Sequence, residues 1–82
     1  MSSVPSRVLV ALKRPADYFD VHPQLVAEDA VRPGVGWEVV RDDGPEVIIA
    51  LDRPEEYERT AAKAVAAELV APTWPGWRVV KE

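Results

Sequence analysis

Val8-Leu9-Val10-Ala11-Leu12-Lys13-Arg14-Pro15-Ala16-Asp17-Tyr18 returns in the second half of the chain as Val47-Ile48-Ile49-Ala50-Leu51-Asp52-Arg53-Pro54-Glu55-Glu56-Tyr57. Each copy runs an apolar segment into Ala-Leu, one charged residue, Arg-Pro, two residues and a tyrosine. The echo spreads outward from there. Ala27-Glu28 answers Ala67-Glu68, and Trp37-Glu38-Val39-Val40-Arg41-Asp42 answers Trp77-Arg78-Val79-Val80-Lys81-Glu82. Self-similarity of this kind marks a repeated supersecondary unit. The chain therefore reads as two halves, about residues 7–42 and 46–82, of one duplicated unit.

The composition of each half predicts a strand, a helix and a strand. Arg7 to Leu12 is β-branched and apolar between Pro5 and Pro15, the signature of a strand. Alternation puts Val8, Val10 and Leu12 on one face and Leu9 and Ala11 on the other. Ala16–Asp20 allows one helical turn. A helix from Pro23 to Val31 then follows, capped by Asp20 or His22, with Leu25, Val26, Ala30 and Val31 inward. Arg32-Pro33-Gly34 stops it, Trp37–Arg41 forms a second strand, and Asp42-Asp43-Gly44-Pro45 is hairpin chemistry. In the second copy Glu46–Leu51 is a strand, and Asp52-Arg53-Pro54-Glu55 has the form of a capping box. That pattern predicts one continuous helix to about Val70, with Tyr57, Ala61, Ala64, Val65 and Leu69 as its apolar stripe. Pro72, Pro75 and Gly76 end it before the last strand, Trp77–Lys81. Tyr18 and Tyr57 are expected in the core, as are Trp37 and Trp77 with Val39 and Val79.

Two β-α-β units joined by a hairpin predict an α+β fold, a ferredoxin-like βαββαβ sandwich. Its four-stranded antiparallel sheet would carry both helices on one face. The first and third strands, apolar on both faces, belong in the middle. Residues 1–6 are expected to be a flexible N-terminal tail. Residues 7–82 are expected to form a single domain.

Eighty-two residues with no cysteine, one histidine and a net charge of −4 narrow the function classes. A thiolate metal site is excluded, and so is a disulfide framework. A phosphate-tracking surface needs clustered Lys and Arg, so no nucleic-acid partner is expected. No apolar run approaches the ~20 residues of a membrane span, so no membrane partner is expected either. The N-terminus lacks signal-peptide character, and the expected location is cytoplasmic, or within a virion or other intracellular assembly.

Catalysis needs a nucleophile beside a base, a carboxylate pair or a metal. The chain has no Gly-x-Ser-x-Gly elbow and no Gly-rich phosphate loop. His22, next to Pro23, reads as a capping residue rather than a general base. Asp17, Asp20 and His22 do not match the spacing of an oxygen-ligand loop. Asp42-Asp43 is turn chemistry, and Glu55-Glu56 suits a helix N-terminus. The expectation is a non-enzymatic protein with no cofactor and no metal. Arg14 and Arg53 end equivalent strands at one edge of the sheet and could hold an anion, which makes a small-ligand or anion-sensing regulatory domain the alternative function.

The helix-free face of the sheet carries the leading functional expectation. Leu9, Ala11, Ile48 and Ala50 point there by alternation, with Val40 and Val80 joining from the outer strands. Soluble monomers seldom expose a contiguous apolar patch. RNA-binding sheets of this topology place aromatics at such positions, whereas these are aliphatic on an acidic protein. The expected partner is therefore protein, most simply a second copy packed sheet to sheet in a homo-oligomer. Glu38 and Arg78, equivalent in position and opposite in charge, could pair across that interface. Trp74, in the proline-flanked loop Pro72-Thr73-Trp74-Pro75, would plug the end of the core or, if exposed, mark a contact.

Val8-Leu9-Val10-Ala11-Leu12-Lys13, Asp20 to Gln24 and the short C-terminal strand resemble the small subunit of bacterial formylglycinamidine ribonucleotide synthase. The chain departs from that family at Leu25, where a glycine is usual, and lacks its Gly-Lys turn. The resemblance implies a subunit of a multi-subunit enzyme and carries over no residue roles. The functional expectation is a small interaction or assembly module, self-associating through its open sheet as a structural or accessory component of a larger complex.

Overall fold

A computed structural model describes residues 7–81; the expected N-terminal tail lies outside them. The elements are β1 (Arg7–Lys13), a 3-10 turn (Ala16–Tyr18), α1 (Pro23–Ala30), β2 (Trp37–Asp42), β3 (Glu46–Asp52), a second 3-10 turn (Glu55–Tyr57), α2 (Ala62–Leu69) and β4 (Trp77–Lys81). The fold is α+β, with an open four-stranded sheet in the order β2-β3-β1-β4. All three neighbouring pairs are antiparallel. The doubly apolar strands β1 and β3 are central, as the alternation predicts.

Register explains which side chains form the core. Val8, Val10 and Leu12 lie opposite Leu51, Ile49 and Val47, and all six are fully buried. They pack with Val26, Ala27 and Ala30 of α1 and Ala62, Val65, Ala66 and Leu69 of α2, so both helices share this face. Small alanines at the contact let each helix approach the sheet closely. Trp37, Val39, Trp77 and Val79 close the margins of the core from the outer strands, and Tyr18 and Tyr57 pack against it.

The helix phases differ from the sequence reading. Leu25 is exposed and Ala27 takes an inward position. The expected continuous second helix is instead a 3-10 turn, a break and an eight-residue helix, the same construction as the first half. The capping box does not form. Asp52 stays in β3 and its carboxylate accepts from Arg7 Nε at 3.1 Å, while Pro54 precedes the turn with no side-chain cap. With the start moved to Ala62, Ala61 and Ala64 turn outward and Ala62 and Ala66 turn inward.

Both halves build a strand, a 3-10 turn, an eight-residue helix and a strand. Val10 faces Ile49, thirty-nine residues on, across the middle of the sheet. Val31 and Val70, with the same separation, form an isolated bridge at the C-terminal ends of α1 and α2. Around that bridge Arg32 N–H donates to Leu69 C=O at 2.9 Å and Ala71 N–H to Ala30 C=O at 2.6 Å, a reciprocal pair.

Candidate interaction surfaces

The helix-free face is not an apolar patch. Ala11 is fully buried, Ile48 and Ala50 retain 5% and 3% of their exposure, and Leu9 is half-buried. Register and ion pairs supply the reason. Arg78 on β4 stands opposite Ala11. It reaches over β1 to hold Glu46 of β3 through two bonds, Nε to Oε2 at 3.0 Å and Nη2 to Oε1 at 2.9 Å. In the other half Arg7 on β1 bonds Asp52 of β3 and reaches Glu38 of β2 at 2.8 Å, where Glu38 stands opposite Ala50. Long charged side chains thus lie across the small central ones, their methylene stems covering apolar surface.

Glu38 and Arg78 therefore have partners within the chain. Arg7 and Glu46 occupy equivalent positions with reversed charge, just as Glu38 and Arg78 do. The bridges hold Glu46 below and Arg78 above their ordinary ranges, each through the hydrogen bond between them first. Arg7 is likewise raised, chiefly by its bond to Glu38.

Val40 and Val80 remain exposed, at 55% and 43%. Each is the extra residue at a register shift in an outer strand, between Val39 and Arg41 in β2 and between Leu9's partner Lys81 and Val79 in β4. Such bulges twist an edge strand and blunt it against pairing with another chain. Trp74 belongs to the core: it is buried and meets Tyr18 edge to face at 5.1 Å.

The Arg-Pro corners are built alike. Arg14 Nη2 donates to Val21 C=O at 2.7 Å, and Arg53 Nη1 donates to Thr60 C=O, seven residues on in both cases. Each guanidinium ties down the break between its 3-10 turn and the following helix. Arg14 is the more enclosed, with Nη1 also donating to Asp42 at 2.9 Å and to Gly44 C=O at 2.5 Å. The Arg14 hydrogen bond and then the Gly44 N–H hold the Asp42 carboxyl below the ordinary aspartate range. Gly44 makes this turn possible with φ of 84°. Arg53 instead lines an open hollow of about 220 Å³ with Pro54, Glu55 and Glu58.

His22 caps α1, its Nδ1 accepting from Gln24 N–H at 3.1 Å. Among the described residues no group of three or more His, Cys, Asp or Glu side chains is placed to hold a metal ion. No helix among them is long and apolar enough to cross a membrane.

Sequence reading missed the surface that is exposed. Phe19 keeps 70% and Leu25 51% of their accessibility. Phe19 follows the first 3-10 turn and Leu25 lies in the first turn of α1. Asp29, one helical turn beyond Leu25, stands against Tyr18, the neighbour of Phe19. Hydrogen bonding to Asp29, followed by burial and the charges of Asp29 and Asp17, pushes the Tyr18 hydroxyl above its ordinary range. Positions i and i+4 share a helix face, so Leu25 and Asp29 lie on one side of α1. A signal for this was present in the repeat: the second half has Glu58 and Ala64 at the equivalent positions.

Comparison with protein-family models, curated proteins and solved structures finds no significant match.

Proposed function

We propose that the chain is a non-enzymatic protein-interaction module, a component of a larger assembly. The observation that carries this reading is the exposure of Phe19 and Leu25. The other half builds the same turn and helix with Glu58 and Ala64, so the fold does not require large apolar groups there. Large aromatic and aliphatic side chains left exposed where the fold does not need them point to a contact site. Self-association through the open sheet, the leading expectation from alternation, has lost its apolar patch to the arginines that cover it. An anion sensor finds limited support as well, since Arg14 is committed to internal acceptors and the Arg53 hollow is flanked by two glutamates.

We also infer that the two halves are copies of one βαβ unit in a ferredoxin-like arrangement. The pairing of Val10 with Ile49 and of Val31 with Val70 supports this, as does the matched construction of the Arg-Pro corners.

Site-specific photocrosslinking in host cells tests the interaction reading. A crosslinking residue in place of Phe19 is expected to give adducts of discrete mass, and one in place of Glu58 is not. Equal capture at both positions, or none at Phe19, removes it.

A further inference from the structure

Resting on the reading of Phe19 and Leu25 as a contact surface, we propose that its partner is a basic amphipathic segment, with apolar side chains that seat on these two residues and Lys or Arg at the border. The argument is charge complementarity. From Ala16 to Val31 the chain has Asp17, Asp20, Glu28 and Asp29 and no lysine or arginine. All four carboxylates are exposed. The equivalent stretch of the second half has four acidic residues too, but offsets them with Arg59 and Lys63. The formal charge of this one segment, four negative and none positive, equals the whole chain's net of −4. Phe19 sits between Asp17 and Asp20 in sequence, and Leu25 precedes Glu28 and Asp29 on α1. Of the arginines that flank the segment in sequence, Arg32 is exposed four residues after Glu28 and offsets one of the four charges. Arg14 is buried on Asp42, and His22 uses Nδ1 to cap α1.

A second copy of this chain is disfavoured on the same surface, since symmetric docking would bring like-charged borders together. An anionic partner is disfavoured for the same reason. The apolar pair supplies the contact, and the carboxylates supply sign selectivity and a faster, salt-dependent encounter.

The test uses the full chain, ¹⁵N-labelled, titrated with a short helical Leu/Lys peptide and with its Leu/Glu counterpart. The Leu/Lys peptide is expected to shift amides around Phe19 and Leu25 and not those around Glu58 and Ala64. Its affinity should fall with added salt, and F19A should weaken it about tenfold or more. L25A is a second variant, and the thermal midpoint confirms that both stay folded. Shifts that follow negative charge over the whole surface, or a Leu/Glu peptide that binds the Phe19 region equally well, overturn the proposal. Concentration-dependent dimerisation through Phe19 overturns it also. In those cases discrete photoadducts at position 19 would keep the contact-surface reading alive, whereas their absence would end both.

Discussion

The Arg14 and Arg53 corners start from the same sequence and end in different surroundings. Both guanidiniums donate to the carbonyl seven residues on, which fixes the junction between 3-10 turn and helix. Only Arg14 is also gripped by a hairpin, through Asp42 and the Gly44 carbonyl, and its side chain is almost wholly buried. Arg53 stays half-buried beside Glu55 and Glu58. The difference shows that a local motif specifies a local bond. What else the same arginine does depends on which loop the topology brings against it.

The largest expected effects should be equal in the two halves. Leu12 and Leu51 are equivalent and fully buried, so L12A and L51A should each cost about 3 kcal/mol in denaturant unfolding. Clearly unequal losses would break the correspondence of the halves in the core. The corners should then separate. R14A removes a buried guanidinium and its bonds to Asp42, the Gly44 carbonyl and the Val21 carbonyl and is expected to cost clearly more than R53A, which removes bonds to neutral carbonyls at about 1 kcal/mol. Equal midpoint shifts would mean that the hairpin adds nothing to the Arg14 corner.

Acid should distinguish the corners too. The Asp42 carboxyl is held below its unfolded range by Arg14, so its contribution is present above the unfolded value. It is lost as pH falls below ~4 through the lower folded value. D42N should flatten that part of the acid-unfolding profile, and R53A should leave it in place. A profile unchanged in D42N would remove Asp42 as its source. The smallest effect concerns the helix starts. His22 caps α1 with its side chain, and Ala61, at the same position before α2, has extended backbone and no side-chain cap. A61D should raise stability by about 1 kcal/mol; a loss would show that the junction does not accept a capping carboxylate.

Much of the fold was legible. Alternation in Val8–Leu12 and Val47–Leu51 marked the central strands, and the spacing of proline and glycine placed the turns. The second helix was misread because Asp52-x-x-Glu55 looks like a capping box. The register that delivers Asp52 to Arg7 is a tertiary fact. The candidate surface was misread for a related reason. Side-chain direction correctly sent Ala11, Ile48 and Ala50 to the helix-free face, but direction does not say what lies above. Leu25 was assigned inward for its hydrophobicity, although α1 meets the sheet through Val26, Ala27 and Ala30.

By itself the sequence determined the period-two strands, the Arg-Pro corners, the order of elements and the absence of thiol chemistry, because these follow from near-neighbour stereochemistry and composition. The tertiary structure decided which faces are open. Arg7 and Arg78 each cross a neighbouring strand to reach a carboxylate far away in the chain, and that reach shields the small residues beneath. Leu25 is left outside because α1 turns Val26, Ala27 and Ala30 toward the sheet, and Phe19, at the end of the 3-10 turn, stays exposed before that helix begins.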